Sequence, residues 1–333
     1  MIRVAINGFG RIGRLALREI LTGTDFDIIA INDLSAAEDL AYLLKYDTNH
    51  GTFHEDKISF TESEIVIDNK KKIKVFAEKD PENLPWKDLN IDLVLECTGI
   101  FTSKESASKH LIAGAKKVVI SAPAKDDVKT VVYNVNHNII EASDEIISAA
   151  SCTTNCLAPV LALVDKHVAI KKGYMTTVHA YTNDQVTLDI AHSKGYKSRR
   201  GRACAANIIP SSTGAAAAIG RVLPNLDGAL EGLAYRVPVS DGSVIDVCLE
   251  INGITSKEQI NELFQNNQNE TLKITFDPIV SSDIIGKKCG ALVDGSLTSV
   301  LEKDGTQLLK IVAWYDNEQG YTSQMLRTAK ELF

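Results

Sequence analysis

The 333 residues are enough for two domains of ordinary size, and a composition of 44% hydrophobic and 24% charged residues excludes disordered and fibrous classes. A net charge of −7 argues against a surface devoted to nucleic acid or membrane, so any anion site must be local. No apolar stretch approaches the ~20 residues of a membrane helix. The six cysteines are scattered, match no zinc spacing, and fit a reducing cytoplasm better than a disulfide scaffold. The start runs directly into a strand pattern, so no signal peptide is expected.

Arg3 to Asn7 is a short apolar strand candidate, followed at once by Gly8-Phe-Gly-Arg-Ile-Gly13 and a helix-like face of Leu15, Ala16, Leu17 and Ile20. A second strand, Asp27 to Asn32, ends at Asp33, 20 residues beyond the last glycine. A strand, a GxGxxG turn, a helix and an acid at the next strand tip form a dinucleotide-binding fingerprint in its required context. Gly8 permits the tight turn, Gly10 lets backbone approach a pyrophosphate, and Gly13 allows close helix–strand packing. Asp33 is placed to accept hydrogen bonds from ribose hydroxyls.

Ser35-Ala-Ala-Glu38 reads as a capping box for a helix reaching Lys45. Residues 57 to 77 alternate around Asp68-Asn69, which predicts a hairpin. Asp92 to Cys97 is apolar enough for a strand buried on both faces, and Thr98-Gly99 ends it. A helix over Ser103 to Ala113 and a strand over Lys117 to Ile120, closing on Ser121, come next. Ligands of open α/β sheets lie beyond the carboxyl ends of strands, which makes Thr98, Gly99 and Ser121 candidate cofactor contacts.

A strand over Glu145 to Ala150 leads into Ser151-Cys-Thr-Thr-Asn-Cys156, and Leu157, Val160, Leu161 and Val164 recur at helical spacing. Cys152 is thereby predicted at a helix start, where unpaired amides and the helix dipole favour negative charge. An ordinary cysteine is only roughly 3% thiolate at pH 7, whereas one at a helix start beside a cationic histidine can be mostly thiolate. Ordinary burial of both Cys152 and Cys156 is the competing reading. Gly173 to Thr182 reads as a strand carrying His179, and the loop to Pro210 holds Lys194, Lys197, Arg199, Arg200 and Arg202. Taken alone, that loop is equally a solvated face or a nucleic-acid patch. Beyond Ser211-Ser-Thr-Gly214 comes an alanine-rich helix. Strand patterns recur at 229–239, 243–252, 272–276 and 307–314, with a second capping box at Thr255-Ser-Lys-Glu258 and a final helix over 318–333. The expected fold class is α/β in the first half and α+β, with a mostly antiparallel sheet, in the second.

These segments together resemble the phosphorylating glyceraldehyde-3-phosphate dehydrogenase family over essentially the whole length. The resemblance is carried by INGFGRIGR from Ile6, SAPAK from Ser121, AASCTTNCLAP from Ala149 and TTVHAYTND from Thr176. It continues through RRGR from Arg199, IIPSSTGAA from Ile208, AYRVP from Ala234 and WYDNE from Trp314. It implies a homotetrameric, cytoplasmic glycolytic enzyme that uses NAD. Residues 1–150 would be a Rossmann domain joined by the final helix 318–333, and 151–317 a catalytic domain. Cys152 would be the nucleophile and His179 its base. Thr182 and Arg236 would hold the phosphate of glyceraldehyde 3-phosphate. Ser151, Thr153, Thr213 and Gly214 would hold inorganic phosphate, with Arg200 between the two sites. Arg11, Ile12, Asp33, Lys79, Ser121 and Asn317 match NAD-contacting positions. Ala217 stands where a lysine is usual, Lys79 where arginine is common and Ala191 where proline is frequent. The segment from Pro238 to Asp246 also differs from the commoner versions. These departures bear on phosphate affinity, adenine-side contacts and cofactor choice.

The residues make chemical sense without the family. A thiol adds to an aldehyde to give a hemithioacetal, loss of hydride leaves a thioester, and phosphate attack yields an acyl phosphate. Arginine suits phosphate because its planar fork gives two charge-assisted hydrogen bonds. Three competing readings stay open here. The first is an erythrose-4-phosphate dehydrogenase of the same superfamily. The second is a thiol hydrolase, which leaves the fingerprint without a purpose. The third is a non-catalytic NAD-binding redox sensor. No metal site and no primary nucleic-acid role are expected.

Overall fold

The computed structural model describes residues 1–193 and 195–333, so Lys194 of the basic loop lies outside the described residues. The chain divides into two units. Residues 1–131, 137–150 and 325–333 make the first, and residues 132–136 and 151–324 make the second.

The first unit begins with β1 (Ile2–Asn7), α1 (Arg11–Thr22), β2 (Phe26–Asn32) and α2 (Ala37–Lys45). The strands β3 (Ile58–Phe60), β4 (Glu64–Ile67) and β5 (Lys71–Phe76) follow. Then come β6 (Leu93–Glu96), α3 (Lys104–Ile112), β7 (Lys117–Ile120) and β8 (Ile146–Ser148). The sheet order is β3-β4-β5-β2-β1-β6-β7-β8, with β5, β2, β1, β6, β7 and β8 parallel. Strand β1 pairs with β2 on one side and β6 on the other, so the crossovers reverse direction there.

Alternate side chains of one strand enter two different cores. Val4 and Ile6 pack on one face with Leu17, Leu40 and Leu95, while Ala5 packs on the other with Val94, Val118, Trp86 and Ala107. Burial on both faces is the reason these strands read as near-continuous apolar runs. Met325, Leu326, Ala329 and Leu332 belong to the first of these cores. The hairpin turn expected at Asp68-Asn69 joins β4 to β5, and both residues have positive φ (56° and 55°). A third strand, β3, extends that hairpin on its outer side.

The second unit holds α4 (Cys152–Val168), β9 (Ile170–Ala180), β10 (Ile209–Ser212), α5 (Ala215–Val222) and β11 (Leu230–Val237). It continues with β12 (Ser243–Ile251), α6 (Lys257–Asn266), β13 (Leu272–Thr275) and β14 (Ala291–Asp294). It is completed by β15 (Ser299–Lys303), β16 (Thr306–Tyr315) and the start of α7 (Gln319–Lys330). The order β10-β11-β9-β12-β16-β14-β13 has parallel pairs at β9–β11 and β13–β14, and the remaining pairs are antiparallel. Helix α4 lies against β9, β12, β14 and β16. The opposite side of β9 and β11 carries Tyr174, Val178 and Leu233, all exposed.

Both predicted capping boxes are misplaced. Helix α2 starts at Ala37 behind Ala36, and no side chain caps it, because the amide of Ser35 is held instead by Asp33 Oδ1 (3.0 Å). At the start of α6 the cap is Ser256, one residue later than read, and its box partner is Gln259 rather than Glu258. The amide of Thr255 is occupied by Gln307 Oε1 (2.9 Å), which holds Thr255 outside the helix.

Helix α1 pins the loop that follows α2 with two arginines. Arg18 donates to the carbonyls of Leu44 (2.8 Å) and Gly51 (3.1 Å), and Arg11 forms a bidentate pair with Asp47. Burial alone would raise the Asp47 carboxyl, but Arg11 and the amides of His50 and Asn49 outweigh it and bring it to about 2. A folded value below the unfolded one of about 3.9 stabilises the fold above roughly pH 4, and this contribution is lost as pH falls towards 2. Asp47→Asn should therefore lower unfolding free energy by on the order of 2 kcal/mol at pH 7, with the gap to the wild type closing below pH 4 in denaturant titrations.

Candidate active site and cofactor cleft

The first unit carries a cleft of about 500 Å³ at the carboxyl ends of β1, β2 and β6, lined by residues including Asn7, Gly8, Gly10, Asp33, Lys79 and Thr98. Gly8 has φ +90°, and a Cβ there would lie 2.7 Å from the Thr98 nitrogen. A Cβ on Gly13 would lie 2.2 Å from the Gly8 carbonyl oxygen, whereas Gly10 faces open space. The glycine roles read from the sequence are thus turn, packing and approach, in the positions expected. No side chain caps α1, so its first turn, with Arg11, Ile12 and Gly13, presents backbone amides suited to a pyrophosphate. The Asp33 carboxylate is anchored by the amides of Phe9 (2.8 Å) and Ser35 (3.0 Å). Gly99, at φ +71°, follows Thr98, and Ser121 sits just past β7 outside the described cleft lining.

Beneath the cleft is a buried polar cluster that the sequence reading missed. The Glu96 carboxylate accepts from Asn7 Nδ2 (2.6 Å), from His110 Nε2 (3.0 Å) and from the amide and hydroxyl of Thr98. Trp86 Nε1 donates to His110 Nδ1 (3.1 Å), and an indole N–H can only donate, so the imidazole proton sits on Nε2. Asn7 Oδ1 in turn accepts from Asn32 Nδ2 (2.7 Å). One carboxylate therefore ties together the ends of three strands and helix α3. Glu96 was readable only as the end of an apolar run; an acid inside such a run was the available signal.

In the second unit Cys152 opens α4, as predicted. Ser151 is the cap, its Oγ accepting from the Thr154 amide (3.1 Å), and Ala150 at φ 58° bends the chain into the helix. His179 Nε2 lies 3.4 Å from Cys152 Sγ, and Nδ1 lies 2.7 Å from the Ala180 carbonyl. A carbonyl can only accept, so Nδ1 carries the ring proton and Nε2 offers its lone pair to the thiol. Arg236 Nη1 donates to the same carbonyl (2.8 Å) and to Thr182 Oγ1 (3.1 Å), and it stands 2.9 Å from Nδ1. Its buried Nε has no partner among the described residues. The register of β9 and β11 sets His179 beside Arg236.

Burial moves the two groups of the pair in opposite directions. Burial drives His179 down to about 3, with Arg236 and Arg200 acting in the same direction and the Ala180 carbonyl opposing them. Burial pushes the Cys152 thiol up; Arg236 and the Thr153 hydrogen bonds pull it down without cancelling the rise. Both shifts favour the uncharged forms, and a neutral His179 is the form that can accept a proton from Cys152. Cys156, one turn on, is fully buried and held well above the ordinary thiol range by that burial.

Thr153 was expected to face a phosphate, and its hydroxyl also joins a buried chain. Thr177 Oγ1 donates to the Val244 carbonyl (3.1 Å), so it accepts from Tyr315 (2.8 Å), and Tyr315 accepts from Thr153 (2.9 Å). The Tyr315 ring meets His179 edge-on at 5.8 Å between centroids. Tyr315 lay within the quoted WYDNE segment, but no role was read for it. Thr213 accepts from the Ala215 amide (3.2 Å), with Gly214 at the cap of α5, and α5 packs on α4. In the basic loop Arg200 pairs with Asp184 and Arg202 with Asp189, which neutralises two of the cations internally. Ala217 and Ala191 are both exposed.

Two family descriptions match the chain. The glyceraldehyde 3-phosphate dehydrogenase NAD binding domain covers residues 2–104, and the C-terminal domain of the same enzyme covers residues 151–317. The chain belongs to the glyceraldehyde-3-phosphate dehydrogenase family. Relatives of that name include one from Clostridium pasteurianum, 54% identical over 98% of this chain and 97% of the relative, and one from Clostridium acetobutylicum, 53% identical over the same shares. A third, from Streptococcus pyogenes, is 51% identical, again over 98% of this chain and 97% of the relative. Membership in the dehydrogenase family accounts for the fingerprint, which a thiol hydrolase would not need.

The two thiols should separate cleanly in labelling. Iodoacetamide should modify one cysteine of this site in preference to the other; Cys152→Ser should remove that reactivity and Cys156→Ser should retain it, as followed by intact-protein mass spectrometry. In Arg236→Leu, loss of the nearby cation should move the pH profile of Cys152 alkylation to higher pH.

Proposed function

We infer that the protein catalyses the NAD-dependent oxidative phosphorylation of D-glyceraldehyde 3-phosphate, giving 1,3-bisphosphoglycerate. The observation that carries the reading is the Cys152–His179–Arg236 constellation in a chain of this family. Cys152 Sγ adds to the aldehyde carbon while His179 Nε2 accepts the thiol proton and passes it to the new alkoxide, giving a hemithioacetal. His179 then takes back the hydroxyl proton as the C–H electron pair departs, leaving a thioester on Cys152. NAD, when bound, supplies the acceptor for that electron pair. Inorganic phosphate attacks the thioester carbon, and the Cys152 thiolate leaves.

The cofactor reading is supported by the shape of the first-unit cleft: close backbone approach at Gly8, open space at Gly10, an uncapped helix start and an anchored acid at Asp33. For substrate phosphate the support is Arg236, whose buried Nε lacks a partner among the described residues, beside the Thr182 hydroxyl. Ser151, Thr153, Thr213 and Gly214, at the starts of α4 and α5, are assigned to inorganic phosphate. Arg200 joins them once its Asp184 partner yields to an anion. Asn317 is assigned to the cofactor. Among the described residues no helix is long and apolar enough to cross a membrane. A cytoplasmic homotetramer is our reading, and the exposed Tyr174, Val178 and Leu233 on the open sheet face favour cover by further copies.

The deciding assay is NADH formation from glyceraldehyde 3-phosphate: sustained turnover is expected with inorganic phosphate and at most a single turnover without it. Faster turnover of erythrose 4-phosphate, independent of phosphate, would favour the sister activity. Arg236→Leu should depress kcat/KM for the phosphorylated aldehyde far more than for glyceraldehyde; equal losses would reassign Arg236 to the fold.

Cofactor choice follows from Asp33. Its carboxylate is held by two amides and cannot easily swing away from a 2′-phosphate. Two unit charges ~4 Å apart at an effective dielectric of ~20 repel by about 4 kcal/mol. A third of that leaves roughly a tenfold preference for NAD over NADP in kcat/KM. Comparable values for the two cofactors would show that Lys79 and the basic loop outweigh Asp33.

A further inference from the structure

One buried hydroxyl joins the base to a second functional position. The Ala180 amide donates to Ser243 Oγ (3.1 Å), and Ser243 Oγ donates to Asn317 Oδ1 (2.7 Å). The directions are fixed, because an amide N–H can only donate and an amide oxygen can only accept. Ala180 is also the residue whose carbonyl takes the His179 proton at 2.7 Å. A single peptide residue at the end of β9 thus meets the catalytic base through its oxygen and Ser243 through its nitrogen. Ser243 and Ala180 are fully buried, and Asn317 is nearly so.

We propose that Ser243 is a positioning residue that sets the orientation of both the His179 imidazole and the Asn317 amide. With Oδ1 committed to Ser243, Asn317 Nδ2 is turned outward as a donor, and it makes no hydrogen bond among the described residues. An amide is nearly symmetric in shape, so without the Ser243 hydroxyl nothing distinguishes its oxygen from its nitrogen. The Asn317 backbone is already fixed. Asp316 accepts from the amides of Gly286 (2.6 Å), Glu318 (2.8 Å) and Gln319 (2.7 Å). What remains free is the rotation of the side chain, and Ser243 removes it. A carbonyl acceptor on the bound partner, such as a carboxamide oxygen, is the group that Nδ2 selects. This inference rests on the reading of Asn317 as a cofactor contact.

The consequence for the base is separate. In Ser243→Ala the buried Ala180 amide loses its acceptor, and Ala180, whose carbonyl holds His179 Nδ1 from the next peptide group, loses one of its anchors. The hydroxyl therefore couples the geometry of proton transfer to that of cofactor recognition without touching either reacting group.

The test is a double-mutant cycle on NAD binding, measured by calorimetry, with thiol reactivity as a second readout. Ser243→Ala and Asn317→Ala should each weaken NAD about tenfold, the value of one net hydrogen bond. The double variant should be no weaker than Asn317→Ala alone. Ser243→Thr, which keeps the hydroxyl, should restore binding and shows that the effect is not a loss of folding. In the cofactor-free protein, Ser243→Ala should shift the pH profile of Cys152 alkylation while Asn317→Ala leaves it in place. Weakened binding in Asn317→Ala with none in Ser243→Ala overturns the proposal and leaves the reading of Asn317 intact. Additive losses, or an unshifted alkylation profile in Ser243→Ala, overturn it as well. No loss in Asn317→Ala overturns the reading of Asn317 and the proposal with it.

Discussion

The 2.7 Å hydrogen bond from His179 Nδ1 to the Ala180 carbonyl is the constraint on which the chemistry of the second unit depends. It places the ring proton on Nδ1, so the lone pair of Nε2 faces Cys152. It also keeps the imidazole in one plane, edge-on to Tyr315. Arg236 shares the same carbonyl and brings a full positive charge to the ring. That charge opposes protonation of His179 and favours ionisation of Cys152, so one guanidinium makes the base less willing to be cationic and the nucleophile more willing to be anionic. Burial works with Arg236 on the imidazole and against it on the thiol.

The first unit solves a different problem, namely how to open a cleft at the ends of strands without leaving polar backbone stranded. Strand order supplies the crevice, because β1 has partners connected in opposite directions. Side chains then finish the ends: Asn32 pairs with Asn7, Asn7 with Glu96, and Glu96 with Thr98 and His110. Each buried donor or acceptor in this row finds a partner, as low-dielectric interiors require. The cleft wall is rigid for that reason, and Asp33 stands on it with two amides beneath its carboxylate.

Much of this was legible in the sequence because it follows from local rules. Glycine spacing, strand length and the position of Asp33 fix the nucleotide unit, and the apolar spacing after Cys152 fixes a helix start. Three kinds of feature were not legible. Helix caps slid by one residue because Asp33 and Gln307, distant in sequence or outside the helix, claimed the competing amides first. The electrostatics of the pair depend on burial and on Arg236, 57 residues from His179 in sequence, so they could not be read from a motif. Glu96, Tyr315 and Ser243 share a third difficulty. Their roles lie in hydrogen bonds whose partners come from other strands, and a single polar residue in an apolar run does not announce which partner it will meet.

The Glu96 row divides the cleft into a floor and a rim with different prospects of change. Asn7, Asn32, Glu96, Thr98, His110 and Trp86 form an interlocked set in which replacing one member strands its neighbours, so a viable route through sequence space must alter several at once. Leu34 and Ile100, exposed at 61% and 68%, line the same cleft through apolar side chains and can be exchanged one at a time. Divergence in which nucleotide the cleft prefers should then accumulate at the rim while the floor stays fixed, and an engineer seeking a new cofactor would leave the Glu96 row alone and begin at Asp33 and its neighbour Leu34.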